Sequence, residues 1–194
     1  MKIIIASSNQ GKIKEIKKFF NMDTYAYSEI MDYFDIVEDA DTFKGNAILK
    51  AEAINNKLTL EQKKEFIVLS DDSGITVPSL GNVPGIYSAR YAGANATSKD
   101  NLAKLINTLK ENNLNKTPAY YTCAIAVIAN DRLSTTHGWM HGNVIDEERG
   151  TNGFGYDPMF IPEGFNTTLG EMSEDIKKEL SHRTQALNLA KYFI

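Results

Sequence analysis

A single cysteine, no excess of positive charge and no long apolar run mark this 194-residue chain. With one thiol an intrachain disulfide is excluded. Cys123 lies inside the apolar stretch 119–129 and reads as a core position, where apolar surroundings raise a thiol pKa and work against a nucleophilic role. A formal net charge of −4 argues against a dedicated nucleic-acid binder, whose phosphate contacts leave a surface basic, although a local basic cluster can still hold a small polyanion. Only Ile3-Ile4-Ile5 precede polar residues at the start, too few for a signal peptide, and nothing approaches membrane-spanning length. No membrane partner is therefore expected, and the cytoplasm is the expected address. Internal repeats, low-complexity segments and linkers are missing too. The length suits one buried core, so residues 1–194 are expected to form a single domain. With 42% hydrophobic and 24% charged residues, the composition excludes the disordered and fibrous classes.

Hydrophobic spacing supplies the elements that are present. Residues 2–6 read as a short strand, Ser7-Ser8-Asn9-Gln10-Gly11 as a small-residue turn and 12–20 as a helix. Thr42 suits an N-cap ahead of Phe43, Ala47, Ala51, Ile54 and Leu58 at helical spacing. The lysine-rich stretch 61–65 reads as a solvated connection to a buried strand, Phe66-Ile67-Val68-Leu69. After Ile75-Thr76-Val77 comes a Gly/Pro-punctuated loop, 81–93, of a length that usually has a task. A helix from about Ser98 places Leu102, Leu105, Ile106 and Leu109 on one face, and 119–129 and 132–140 form an antiparallel pair through Asn130-Asp131. Residues 143–146 read as a further strand, 150–158 as a glycine-rich loop leading to Met159-Phe160-Ile161, and two short helices follow, near 173–180 and from Ser181. Interleaved helices and strands followed by a hairpin point to an α/β fold with a central mixed, twisted β-sheet flanked by helices.

Chemistry concentrates behind the buried strand, in Asp71-Asp72-Ser73-Gly74. Adjacent carboxylates at a strand end repel and lose hydration, so a divalent cation or a solvated cleft compensates them most easily; the same four residues are also good turn chemistry. The first loop resembles a phosphate cradle, with small residues at a helix N-terminus and Lys12 as a mobile cation, although an ordinary strand-to-helix turn has the same composition. It is not a Walker A loop, because Ala6 and Ile13 stand where that motif needs glycine and a hydroxyl residue. Lys177, His182 and Arg183 offer cations near the other end, the last two in a first helical turn capped by Ser181, where positive charge opposes the helix dipole and suits an anionic or accepting ligand. Phe154, between two glycines, can stack on a base or plug the core, and Asp157 can accept from a ring N–H. A phosphate loop, paired carboxylates, a stacking aromatic and terminal cations are together what a nucleoside triphosphate requires.

Six ordered segments also resemble the signatures of the Ham1/RdgB inosine triphosphate pyrophosphatase family: Ser7-Ser8-Asn9-Gln10-Gly11-Lys12, Thr42-Phe43 with Asn46-Ala47 and Lys50-Ala51, Ser70-Asp71-Asp72-Ser73-Gly74, Pro84-Gly85-Ile86-Tyr87-Ser88-Ala89-Arg90-Tyr91, Gly153-Phe154-Gly155-Tyr156-Asp157-Pro158, and Ser181-His182-Arg183. They span almost the whole chain. The resemblance implies the fold shared by Maf and Ham1 proteins, and a homodimeric, magnesium-dependent enzyme that hydrolyses inosine, deoxyinosine and xanthosine triphosphates to monophosphate and pyrophosphate. It implies that Ser7, Ser8, Asn9, Gln10, Gly11 and Lys12 bind the triphosphate, that Asp72 is catalytic base and metal ligand, and that Glu38 is the second metal carboxylate. Ser73, Phe154, Gly155, Tyr156, Asp157, Lys177, His182 and Arg183 complete the implied nucleotide site. Gly45 departs from the glutamate many members carry and removes the acidic half of a capping box, so a frayed helix start is expected.

On this reading Asp72 takes a proton from the attacking water, while Lys12 and Lys177 stabilise phosphate charge. Donors from His182 and Arg183 favour the six-oxo purines over adenine. A Maf-type pyrophosphatase is the neighbouring alternative, against which Ser181-His182-Arg183 and the Phe154 loop speak. A non-catalytic triphosphate sensor is the alternative from another class, and has no need of Asp72 and a second carboxylate.

Overall fold

A computed structural model describes residues Met1–Ile194. Its residues group into two compact units, one of Met1–Asp72, Cys123–His137 and Gln185–Ile194, the other of Ser73–Thr122 and Gly138–Thr184. The elements in chain order are β1 (Lys2–Ile5), α1 (Gln10–Phe19), β2 (Thr24–Ala26), α2 (Phe43–Asn55), α3 (Leu60–Glu65), β3 (Phe66–Val77), β4 (Val83–Pro84), α4 (Ser98–Glu111), β5 (Lys116–Ala129), β6 (Arg132–Ile145), β7 (Phe160–Pro162), α5 (Glu174–Leu180) and α6 (His182–Ala190). The strands form one mixed, twisted sheet in the order β2-β1-β3-β5-β6-β7, with β4 paired to β3. An α/β sheet flanked by helices is the class its periodicity implied.

In the first unit β1 pairs in parallel with β2 and with β3, Ile3 opposite Thr24 and Ile67, and Ile5 opposite Ala26 and Leu69. Successive side chains on a strand point to opposite faces. Ile3, Ile5, Ile67 and Leu69 accordingly pack with Ile13 and Ile16 of α1 and Ala186 and Leu187 of α6. Ile4, Phe66 and Val68 pack with Ala47, Ala51 and Ile54 of α2. Both faces are covered, which is why these strands read as unbroken apolar runs instead of alternating ones.

In the second unit Leu102, Leu105, Ile106 and Leu109 of α4 join Ile75, Val77, Tyr121, Val144 and Phe160 in a third buried cluster. Here the pairings are antiparallel, Thr76 opposite Pro84 and Val144 opposite Phe160. Back in the first unit, Asn130 and Asp131 both adopt positive φ, 49° and 58°, as a two-residue turn between twisted strands requires.

Four sequence expectations change. Residues 61–65 are not a plain connection but the body of α3, started by a reciprocal cap in which Thr59 Oγ1 accepts from Gln62 N–H at 3.2 Å and Gln62 Oε1 accepts from Thr59 N–H at 2.9 Å. Residues 143–146 are no separate strand, because β6 runs unbroken to Ile145. The three-residue β2, too short to show a period, was not foreseen. The start of α2 is not frayed either. Thr42 Oγ1 accepts from Gly45 N–H at 3.0 Å, and the wholly buried Asn46 reaches back to accept from Ala40 N–H at 3.0 Å, tying the chain ahead of the cap to the helix by a bond other than the one the missing glutamate would make. A Cβ at Gly45 would stand 2.6 Å from Ala40 Cβ. Gly45→Ala, worth about 1 kcal/mol of added stability in an open helix, is therefore expected to lower the melting temperature of this chain; a rise on thermal denaturation would refute the packing account.

Candidate active site

Asp71-Asp72-Ser73-Gly74 is not a turn. β3 continues straight through it, and Gly74 is there because a Cβ would collide with Ser88 and the carbonyl of Gly85. Strand alternation then separates the two carboxylates that looked like repelling neighbours. Asp71 follows Ile67 and Leu69 to the α1 side, where Lys12 Nζ stands 2.5 Å from its Oδ1 and the Cys123 thiol donates to its Oδ2 at 2.9 Å. Asp72 follows Val68 and Ser70 to the α2 side, where Lys50 Nζ stands 3.2 Å from its Oδ1 and 2.9 Å from Glu38 Oε2. Each carboxylate has a lysine from the helix that covers its own face.

Asp71 is fully buried and Asp72 is 6% exposed, so neither charge has water to rely on. Burial pushes the Asp72 carboxyl above the usual carboxylate range, against the pull of Lys50 and Lys12. Burial also works against the Lys50 ammonium, but Asp72 and Glu38 outweigh it and hold its pKa above the ordinary lysine value. Asp72 Oδ2 is buried with no hydrogen-bond partner, and an orphaned anionic oxygen beside a second carboxylate fits a hard cation with oxygen ligands. No group of three or more acidic, histidine or cysteine side chains exists to cage an ion. An ion held by Glu38 and Asp72 would draw its other ligands from water and from a bound phosphate.

The first loop is built by its own side chains. Ser7 Oγ accepts from Asn9 N–H at 3.2 Å, Asn9 Oδ1 caps α1 by accepting from Lys12 N–H at 3.1 Å, and Gln10 Nε2 donates to the Ser8 carbonyl at 3.4 Å. No acidic residue occupies the first turn of α1. The helix's own first turn therefore supplies no negative charge to its positive end.

The second unit carries the rest of the expected site. Lys177 Nζ stands 2.6 Å from Asp157 Oδ2, which also accepts from Phe154 N–H at 3.0 Å. Asp157 thus fixes the loop and the lysine through that oxygen. Gly153, at φ +82°, is required twice over, by its backbone and because a Cβ would run into Asp157 and Lys177. Phe154 is 37% exposed, with the Arg183 guanidinium 5.9 Å from its ring centroid, and Arg183 Nη2 donates to Ser73 Oγ at 2.9 Å. Ser181 Oγ accepts from Thr184 N–H, the cap its sequence position implied. His182 is buried and stacks on Tyr121, rings 4.8 Å apart and 14° from parallel. Tyr156 departs from the expectation: its side chain is in the core, its hydroxyl donating to the Ser88 carbonyl at 2.7 Å, so any nucleotide contact there belongs to its backbone.

A sequence profile of the Ham1 family matches residues 3–193. The chain belongs to the Ham1 family. Relatives named dITP/XTP pyrophosphatase are 61% identical in Nautilia profundicola, over all of this chain and 97% of that one, and 54% identical in a Sulfurovum species, over all of this chain and 93% of that one. Among solved structures, a Staphylococcus aureus Ham1 protein superposes with a TM-score of 0.83 at 38% identity, covering 100% of this chain and 97% of that one. A Coxiella burnetii HAM1 protein gives 0.83 at 32%, covering 100% and 98%.

Three residues of this Ham1 member matter to the site although the sequence reading gave them no role in it. Lys50 is the cation shared by Glu38 and Asp72. The signal was available, since a lysine three residues after Ala47 and four before Ile54 lies on the apolar stripe of α2 and must find a buried partner. Tyr121 supports His182, and its phenol, hydrogen-bonded to Asp157, is pushed well above the usual tyrosine range by burial and remains a neutral donor. Cys123 is the core thiol expected, but it faces a carboxylate, which no local pattern around it reveals.

Proposed function

We propose that this chain hydrolyses deoxyinosine, inosine and xanthosine triphosphates between the α and β phosphates, releasing the monophosphate and pyrophosphate, with magnesium as its metal. The observation that carries the reading is Asp72: buried, raised in pKa, one oxygen on the lysine it shares with Glu38 and the other orphaned. The relatives' dITP/XTP pyrophosphatase names support the substrate class.

The Asp72 carboxylate takes the proton of the attacking water, a task its raised pKa favours. Glu38 and Asp72 are the residues that would hold magnesium, which when bound neutralises phosphate charge and acidifies water. Lys50 holds the two carboxylates together. Lys12 and the N–H groups of the loop from Ser7 to Gly11 take the phosphate tail, and Lys177, fixed by Asp157, adds positive charge. Phe154 offers an exposed ring to the base, while His182 and Arg183 present donors to an acceptor at the purine six position. Adenine carries an amino donor there and would leave them unpaired, at a cost of roughly 1 to 3 kcal/mol per buried group. Homodimeric assembly belongs to the same reading on the strength of the family resemblance, and a cytoplasmic setting on the short apolar start of the sequence.

A panel of purine triphosphates with magnesium tests it. Pyrophosphate is expected as the primary product, with the inosine, deoxyinosine and xanthosine nucleotides preferred over ATP by about a hundredfold or more in kcat/KM. Orthophosphate as the primary product would refute cleavage at the α–β linkage, and equal rates with ATP would refute the role given to His182 and Arg183.

A further inference from the structure

We propose that Cys123 is a positioning residue for Lys12, acting through Asp71; this rests on the phosphate-binding role given to Lys12 above. The two oxygens of the fully buried Asp71 are divided between two donors, Lys12 Nζ on Oδ1 at 2.5 Å and the Cys123 thiol on Oδ2 at 2.9 Å. Asp71 lies on the strand face opposite to the one Asp72 uses, and the reaction proposed above gives it no contact with substrate. Its work is on Lys12. A lysine ammonium rides on a flexible four-carbon stem, and what fixes its place at the start of α1 is the carboxylate it sits on. That carboxylate is in turn held by the thiol.

The residue type fits this task. Cys123 belongs to the apolar cluster of Leu69, Ile125 and Val127, where a small hydrophobe is wanted, yet Asp71 Oδ2 enters the same layer and needs a donor. Cysteine packs as an apolar side chain and still carries a weak S–H donor. Serine keeps a donor at some cost in packing, valine fills the layer and takes the thiol donor away from Asp71 Oδ2, and alanine removes the donor without adding volume.

The test is a double-mutant cycle. Cys123→Val, Cys123→Ala and Cys123→Ser are made in the parent chain and in Lys12→Met, and two quantities are read: kcat/KM for deoxyinosine triphosphate with magnesium, and the affinity for inorganic tripolyphosphate by calorimetry. Valine and alanine are expected to lose about tenfold in both quantities, because a buried charged acceptor loses its donor. Serine recovers most of the loss. In the Lys12→Met background the valine change costs less than about twofold, since the group it positions is gone. An equal loss in both backgrounds, a serine variant as poor as valine, or unaltered tripolyphosphate affinity overturns the proposal. If Cys123→Val does not fold, Cys123→Ala carries the donor loss alone. A parent chain that releases no pyrophosphate defeats the functional reading instead, and tripolyphosphate binding, which involves no turnover, still decides the coupling.

Discussion

Asp72→Asn is expected to bind deoxyinosine triphosphate and to turn it over at least about a hundredfold more slowly, the loss characteristic of a missing general base. The asparagine keeps the size and one acceptor of the native side chain, so Lys50 retains a partner and the fold is preserved. Binding measured by calorimetry without turnover, alongside single-turnover release of pyrophosphate, separates the two effects. A variant that binds and cleaves at near the parent rate would assign the proton to another group. One that fails to bind would show that substrate or metal cannot be held without the Asp72 charge, and would leave its role as base without support. A triphosphate sensor, by contrast, would lose nothing it needs.

Lys50→Met is expected to damage both stability and turnover. The side chain is 8% exposed, and the ammonium is shared by two carboxylates of which Asp72 is itself buried. Methionine matches the stem and removes the charge, leaving two anions facing each other with nothing between them. Breaking a buried pair from one side costs about 3 to 5 kcal/mol, which in a chain of this size corresponds to a melting-temperature drop on the order of 10 °C. Magnesium alone, without nucleotide, should raise the melting temperature of Lys50→Met more than that of the parent, because a cation then meets carboxylates that have lost their own. An unchanged melting temperature in the variant would show that the pair contributes little. An equal magnesium response in the two proteins would separate the metal from Glu38 and Asp72.

Much of this arrangement could be read before any coordinates. The apolar spacing of residues 2–6, 43–58 and 102–109 located β1, α2 and α4, and Thr42 and Ser181 were recognisable caps. What could not be read was decided by neighbours distant in sequence. Asp-Asp-Ser-Gly has turn propensity, and tertiary pairing overrides it: the strand is held at Ile5–Leu69 on one side and Thr76–Pro84 on the other, while Ser88 closes on Gly74. The fray expected at Gly45 was prevented by Asn46 reaching to Ala40, a bond no capping pattern describes. Tyr156 lies beside true loop residues and was grouped with them, but its hydroxyl is claimed by a carbonyl 68 positions away. Lys50 sat on the apolar stripe of α2 as a visible signal, but its two partners, and the one Cys123 meets, emerged only when α2 and β5 were laid against β3.

The separation of Asp71 from Asp72 depends on nothing except whether a position along the ribbon is odd or even. Deleting one residue between Phe66 and Ser70 would turn each carboxylate to the other face, bringing Asp72 to Lys12 and Cys123 and setting Asp71 where Ser70 now meets the Ala47 carbonyl, although every side chain of the chemistry would still be present. Loss of two residues would shorten the ribbon yet keep each group on its own side. It would still draw both carboxylates about 7 Å along the ribbon, away from their lysines, so this segment admits no change of length: an odd one costs the faces and an even one the partners.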